Sequence, residues 1–277
     1  MIFAYDGTLL YSCYLSNGGK APDAYDVKGA KVYPSPLTVM SYNLQRWEGY
    51  NSLKDIQDIA FGAGADIIGI QEWGYTASKT IESTDCEVYL ETFGYQTELT
   101  EDDVNHKALA TKLAIEDYSE TVFAASYETR SYTKCYISVN GQRVAWFNTH
   151  LDYQTDDVKY NQVSELLDAV SDEEYFILTG DLNTTCTTKS DLEYIKCVMP
   201  FVNAGYNVAN SPEGQSLLMT YYNSNTVAQS TLITPPDNII TSANIEITDV
   251  RLINTKLSAG GAYVIDHLPI IATLYVR

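Results

Sequence analysis

RVAWFNTHLDYQTDDVKYNQVSELLDAVSDEEYFILTGDLN, residues 143–183, is the stretch that decides the fold. Within residues 143–150 the run Val144–Phe147 is apolar and aromatic and is followed by Asn148, Thr149 and His150, which predicts a strand with a polar end. Thr155 then stands as an N-cap with Asp156 and Asp157 in the first turn. Val163, Leu166, Leu167 and Val170 recur at i, i+3, i+4 and i+7, so residues 155–170 predict a helix with one buried face. YFILTGDLN (175–183) reads as a buried strand running into a polar turn.

The same alternation extends outward on both sides. Upstream, SYTKCYISV (131–139) precedes Asn140-Gly141, a dipeptide that predicts a tight hairpin with the strand after it. KALATK (107–112) is a further strand. Before it, LTVMSYN (37–43), a helix over SLKDIQDIAFGAGA (52–65) and DIIGIQ (66–71) form a strand–helix–strand unit. Downstream, a helix is expected near 189–199 and strands near 238–241, 245–253 and 270–276. Residues 1–36 are an irregular lead-in with a possible hairpin at Asp6-Gly7, and no repeat or linker interrupts residues 37–277, so these form one domain. Hairpins mixed with helices predict an α/β sandwich and not a purely parallel doubly wound sheet.

Composition bounds the function. The chain of 277 residues carries 17 Lys and Arg against 36 Asp and Glu, a formal charge of −19. With 45% hydrophobic residues it can still bury a full core. Such a charge repels polyanions, which disfavours nucleic acid as a partner unless a divalent cation reverses the local sign. No apolar run approaches the roughly 20 residues of a membrane-spanning helix. MIFAYDG lacks the features of a signal peptide, although few Lys and 23 Tyr resemble a secreted or cell-surface bacterial protein. Five Cys without a C-x-x-C pair predict neither a zinc site nor a redox motif; they are expected as core residues, with a Cys186–Cys197 disulfide as the alternative. A monomer is expected.

Several strands end in a carboxylate, amide or imidazole: Asn43, Glu72, His150, Asp181 with Asn183, Asp237, and Asp266 with His267. One such residue is usually a turn former. Turns have no need of Glu or His, and two of the three His stand at these junctions. Together they compose the donor set for metal-assisted hydrolysis: hard oxygen ligands, His–carboxylate pairs for proton transfer, and amides to hold anionic oxygens. The chemistry favours Mg²⁺, with Mn²⁺ as its substitute, over Zn²⁺. No G-x-S-x-G, P-loop or H-E-x-x-H motif is present.

SYNLQRW (41–47), IIGIQEW (68–73 with its leading Ile67), FNTHLDY (147–153), LTGDLNTT (178–185), PDNIITS (236–242) and IDHLPIIATL (265–274) resemble, in order, the signature blocks of the endonuclease/exonuclease/phosphatase (deoxyribonuclease-I-like) superfamily. Lys112, Lys159 and Gln162 also stand where that family carries Arg or Gln. The resemblance implies a four-layer α/β/β/α sandwich with the active site at one rim between two mixed sheets. It implies Glu72 as the principal Mg²⁺ ligand, with Asn43 and Asp266 completing or orienting the metal shell, mostly through water. It implies His267, paired with Asp237, as the acid/base that activates the attacking water or protonates a leaving oxygen, with Asp181 as the other candidate for the base. His150 and Asn183 would donate to phosphoryl oxygens. The implied activity is a phosphoesterase acting by in-line attack of water, on a small or lipid-derived ester in preference to nucleic acid. A nuclease and a catalytically silent binding domain are the alternatives.

The family pattern is broken at Ile265 and Asn238. His106 stands where small or amide residues are frequent and would either touch substrate or cap a strand. Trp47 and Trp73, with Tyr50 and Tyr75 beside them, would line the cleft mouth and stack on a base, sugar or head group, or else pack in the core.

Overall fold

The computed structural model describes residues 2–3, 9–11, 35–45, 61–73, 90–101, 106–212, 217–222, 232–253 and 266–277. The chain divides into two units, Met1–Tyr33 and Pro34–Arg277. In the first, β1 (Ile2–Phe3) pairs antiparallel with β2 (Leu9–Tyr11). The expected Asp6-Gly7 turn lies outside the described residues.

In chain order the second unit continues with β3 (Leu37–Asn43), β4 (Ile67–Gln71), β5 (Gln96–Leu99), β6 (Ala108–Thr111), β7 (Glu116–Val122), β8 (Ser131–Val139) and β9 (Gln142–His150). Helix α1 (Asp156–Ser171) leads to β10 (Phe176–Asp181), β11 (Asn207–Val208), β12 (Tyr221–Tyr222), β13 (Leu232–Thr234), β14 (Asp237–Thr241), β15 (Ile245–Leu252) and β16 (Ile270–Val276). Two six-stranded sheets result, ordered β15-β16-β3-β4-β6-β5 and β11-β14-β10-β9-β8-β7. Each contains one parallel pair, β3 with β4 and β9 with β10, among antiparallel neighbours. Among the described residues no helix is long and apolar enough to cross a membrane.

Strand alternation splits the core into three layers. Val39, Ile67, Leu109, Trp146, Ile177, Ile239 and Ala272 fill the space between the sheets. Met40, Tyr42, Ile68 and Ile70 pack on the outer face of the first sheet with Phe61 and Trp73. Phe147, Phe176 and Leu178 pack on the outer face of the second against Val163, Leu166 and Val170 of α1. The predicted face of α1 is therefore the buried one, although Lys159 and Gln162 are buried with it.

The sheets approach closely at Gly69. A Cβ there would lie 1.9 Å from Thr179 Oγ1 and 2.7 Å from Asn148 Oδ1. Gly69→Ala is expected to cost roughly 3 kcal/mol, because the two sheets must part to admit one methyl group. Urea unfolding measures it; an unchanged midpoint would show that the sheets separate freely. At the β8–β9 hairpin, Asn140 and Gly141 have φ of 52° and 83°, the left-handed pair that a two-residue turn of this hand needs.

Several elements differ from expectation. β5 and β7 are edge strands with largely exposed or half-buried side chains, QTEL and EDYSETV, and so carry no apolar alternation. The helix expected at 189–199 is a π-helical turn, Tyr194–Val198, continued by Met199–Asn203. Thr155 occupies the N-cap of α1, but its hydroxyl makes no capping bond. Of residues 52–65 only Phe61–Ala65 are described, with a 3₁₀ turn at Phe61–Ala63. Cys135, Cys186 and Cys197 are free buried thiols, so the alternative disulfide is absent.

Candidate active site

Strand direction brings the polar strand ends together. β3, β4, β9 and β10 finish at one rim of the sandwich, where Asn43, Glu72, His150 and Asp181 stand. β14 and β16 run antiparallel to β10 and β3, so they begin at that rim, which brings Asp237, Asp266 and His267 there. Register adds a further constraint: Asp181 lies opposite His150 on one side and Asp237 on the other.

Asp181 is the centre of the cluster. Its Oδ2 accepts from Asn43 Nδ2 at 2.9 Å and lies 3.6 Å from His150 Nε2 and 3.8 Å from His267 Nε2. Its Oδ1 accepts from the Asn183 amide at 2.8 Å, a tight return in which Asn183 has φ of 49°. Asn43 Nδ2 also reaches Glu72 Oε1 at 3.3 Å. Its Oδ1 accepts from Gln45 N at 2.8 Å, which aims the NH₂ group at the two carboxylates. Glu72 itself has φ of 51° and lies 3.8 Å from His150 Nε2. Asn183 Nδ2 donates to Leu151 O at 2.8 Å, and Asp266 N donates to Gln45 Oε1 at 3.1 Å.

His267 Nδ1 is 2.8 Å from Asp237 Oδ2. Burial alone would push the imidazole pKa down, but Asp237, through charge and hydrogen bond, and then Asp181 and Asp266 carry it up to about 10. Burial first, then Asp237, raises Asp181 to about 6, with His267, Asn43 and Asn183 opposing. Asp266 also rises to about 6, through burial and then the charges of Glu72, Asp181 and Asp237.

These carboxylates fit a divalent cation. Asp237 Oδ1 and Asp266 Oδ1 are buried with no hydrogen-bond partner among the described residues, an arrangement that costs stability unless something positive faces them. Ligand atoms of Asp181, Asp237 and His267 lie within 4.8 Å of one another. His267 and Asp237 already satisfy each other at 2.8 Å, however, so the better donors for a hard cation are Glu72 and Asp266, with Asn43 beside them.

Supporting groups hold this rim in place. Asn148 Nδ2 donates across the sandwich to Ile70 O and Ala108 O, while its Oδ1 accepts from Gln71 Nε2 at 2.7 Å. Lys159 Nζ donates to Asn183 O at 2.9 Å, and Gln162 Oε1 accepts from Asp152 N at 2.8 Å. The buried polar pair on α1 therefore supports the loops after β9 and β10.

Of the aromatic candidates, Trp73 is 2% exposed and packs in the outer core of the first sheet, so the expected cleft-mouth position does not hold. It follows Glu72 at the strand end, and its side chain joins the apolar layer with Met40 and Ile70. Trp47, Tyr50 and Tyr75 lie outside the described residues. His106 is half-buried with φ of 26°; its Nδ1 is 3.0 Å from Thr100 O and its carbonyl accepts from Trp73 N at 2.9 Å. The sequence reading missed Tyr221, whose ring centroid lies 5.1 Å from that of His267 and whose backbone bridges to it. No local signal marks it, because β12 and β13 are a two-residue and a three-residue strand outside every motif.

No family model matches the chain, and no curated protein matches it in sequence. Solved structures do match in shape. TDP2 from D. rerio, complexed with a single-strand DNA product, superposes with a TM-score of 0.67 at 16% identity, over 87% of this chain and 99% of that one. An endonuclease/exonuclease/phosphatase from Bacteroides vulgatus gives 0.68 at 16% identity, over 88% of this chain and 100% of that one. A mannosyl-6-phosphatase from Bacteroides thetaiotaomicron gives 0.61 at 18%, over 86% and 99%. The two-sheet sandwich that positions these acids, amides and imidazoles is thus the fold of the endonuclease/exonuclease/phosphatase proteins.

Proposed function

We propose that this chain is a metal-dependent phosphoesterase that hydrolyses a phosphate ester by in-line attack of water. The observation that carries the reading is Asp181 Oδ2, a buried carboxylate oxygen 3.6 and 3.8 Å from two imidazole Nε2 atoms, beside Glu72 and Asp266. Glu72 and Asp266 would hold Mg²⁺, with Asn43 orienting Glu72 through its NH₂ group; the ion when bound would polarise the phosphoryl group and offset the charge of the carboxylates. Asp181 accepts the proton of the attacking water, for which a pKa of about 6 suits a base at neutral pH. His267, held by Asp237 in its protonated form, stabilises the developing charge and supplies a proton to the leaving oxygen. The Nε2–H of His150 and the side-chain amide of Asn183 donate to phosphoryl oxygens as charge builds on them.

The acidic surface favours a small or lipid-derived ester, and the mannosyl-6-phosphatase among the structural neighbours supports a small one. A nuclease is the second reading, supported by the DNA product bound to the D. rerio neighbour. A silent binding domain has less support, because it has no need of every polar strand end. The test is hydrolysis of bis(p-nitrophenyl) phosphate with Mg²⁺, Mn²⁺ or EDTA. It is paired with a panel of sugar phosphates, inositol phosphates, sphingomyelin, nucleotide monophosphates and supercoiled plasmid. Metal-dependent turnover of a small ester is expected; plasmid as the sole substrate would select the nuclease, and turnover in EDTA would refute both.

A further inference from the structure

Arg130 stands just before β8 and is 1% exposed. Its guanidinium lies between two side chains: Nη1 is 2.8 Å from His150 Nδ1, and Nη2 donates to Glu128 Oε2 at 3.0 Å. A guanidinium offers only donors and keeps its charge at every pH at which proteins are folded. The bond at His150 Nδ1 therefore runs one way, from Arg130 to a ring nitrogen that carries no proton. The single ring proton must sit on Nε2, the atom 3.6 Å from Asp181 Oδ2 and 3.8 Å from Glu72 Oε1.

The two imidazoles of the rim thus have opposite partners. His267 turns Nδ1 to a carboxylate, which only accepts, while His150 turns Nδ1 to a guanidinium, which only donates. From this asymmetry we propose that Arg130 is a positioning residue that fixes His150 as an Nε2–H hydrogen-bond donor to a phosphoryl oxygen and denies it the role of proton donor to the leaving group. The assignment rests on the phosphoesterase reading for the identity of the acceptor. Its proton accounting is simple. Were His150 to give up its Nε2 proton while Nδ1 still accepts from Arg130, an imidazolate would remain beside two carboxylates. His150 can share that proton but not transfer it, so the proton that reaches the leaving oxygen comes from His267. Glu128 offsets the buried guanidinium charge and leaves Nη1 directed at the ring.

The resting protein gives a direct readout. Long-range ¹H–¹⁵N correlation on histidine-labelled protein is expected to show His150 with a protonated Nε2 and an unprotonated Nδ1. Arg130→Met should yield a mixture of tautomers, and Arg130→Lys should restore the Nε2–H form, since an ammonium also only donates. In turnover, Arg130→Met should lower kcat/KM by about 10- to 100-fold, by the same factor for 4-nitrophenyl and phenyl esters. His267→Gln should lose more with the phenyl ester, whose leaving oxygen needs its proton more. A protonated Nδ1 on His150 in the unaltered protein, or an Arg130→Met loss that grows with the poorer leaving group, would overturn the proposal. The unaltered protein decides the tautomer even where Arg130→Met does not fold. Absence of metal-dependent turnover would instead overturn the phosphoesterase reading, and the tautomer would still answer for Arg130.

Discussion

His267→Gln is expected to lower kcat/KM toward an aryl phosphodiester by about 1,000-fold, within the range that removal of a positioned acid or base brings. The side chain is buried at the rim, its Nδ1 is bound to Asp237 at 2.8 Å, and its Nε2 faces Asp181 at 3.8 Å. Glutamine keeps the approximate size and one N–H donor but has no proton to transfer at neutral pH. A second measurement separates catalysis from folding. Because the folded pKa of His267 is raised from 6.5 to about 10, its contribution to stability is fully present below pH 6.5 and is lost as pH rises through about 10. In metal-free buffer the melting temperature should fall across that window, and His267→Gln should flatten the fall. Asp237→Asn should flatten it too, because an amide removes the main source of the shift. Retention of full turnover by His267→Gln would sink the assignment.

The second large effect concerns the carboxylates. Asp181 and Asp266 are both raised from 3.8 to about 6, so between those values the folded protein holds protons that the unfolded chain has released. Stability in EDTA should therefore decline as pH rises from about 4 to 6 and stay low above it. At pH 7.5, Mg²⁺ at 100 times its Kd should restore about 2.7 kcal/mol, or roughly 5 to 10 °C in melting temperature. At pH 4.5 it should restore little, because Asp181 and Asp266 are then protonated. Glu72→Gln, nearly isosteric, should abolish the Mg²⁺ shift and lower turnover by about 1,000-fold or more, since it removes the charge of the rim carboxylate that Asn43 Nδ2 holds at 3.3 Å. Equal melting temperatures in Mg²⁺ and EDTA at pH 7.5 would show that the carboxylates hold no cation.

The polar strand ends are legible in the sequence because chemistry and pattern disagree there. Apolar runs such as VAWF (144–147) and FILTG (176–180) end in His150 and Asp181, where alternation and burial alone call for nothing polar. The supporting groups were harder to read. Asn148 looks like one more polar residue in a strand, yet it binds two carbonyls of the opposite sheet. Trp73 illustrates the reverse error: its proximity in sequence to Glu72 suggests the cleft, while its side chain belongs to the outer core. Arg130 lies 20 residues from His150 in sequence and is brought to it by the β8–β9 hairpin; the Asn140-Gly141 turn sets that register, but no motif marks Arg130 as a partner of the imidazole.

By itself, then, the sequence did not determine the edge strands β5 and β7 or the short pair β12 and β13, but it did determine the central strands β3, β4, β6, β8, β9, β10, β14 and β16, the helix α1 and the chemical inventory of the rim. These follow from residue type and periodicity, which act over a few neighbours. Only the tertiary structure decided which polar groups meet. Asn43 and Asp181 are 138 residues apart, and Asp266 and Gln45 are 221 apart. Contacts of that range depend on which strands run parallel and on the register between them, and both are settled by packing two sheets face to face. The same packing removes water from the rim, which raises Asp181 and Asp266, and sets Asp237, Asp181 and Asp266 against His267, whose charges raise the imidazole against the effect of burial; no residue has these properties until its neighbours are in place.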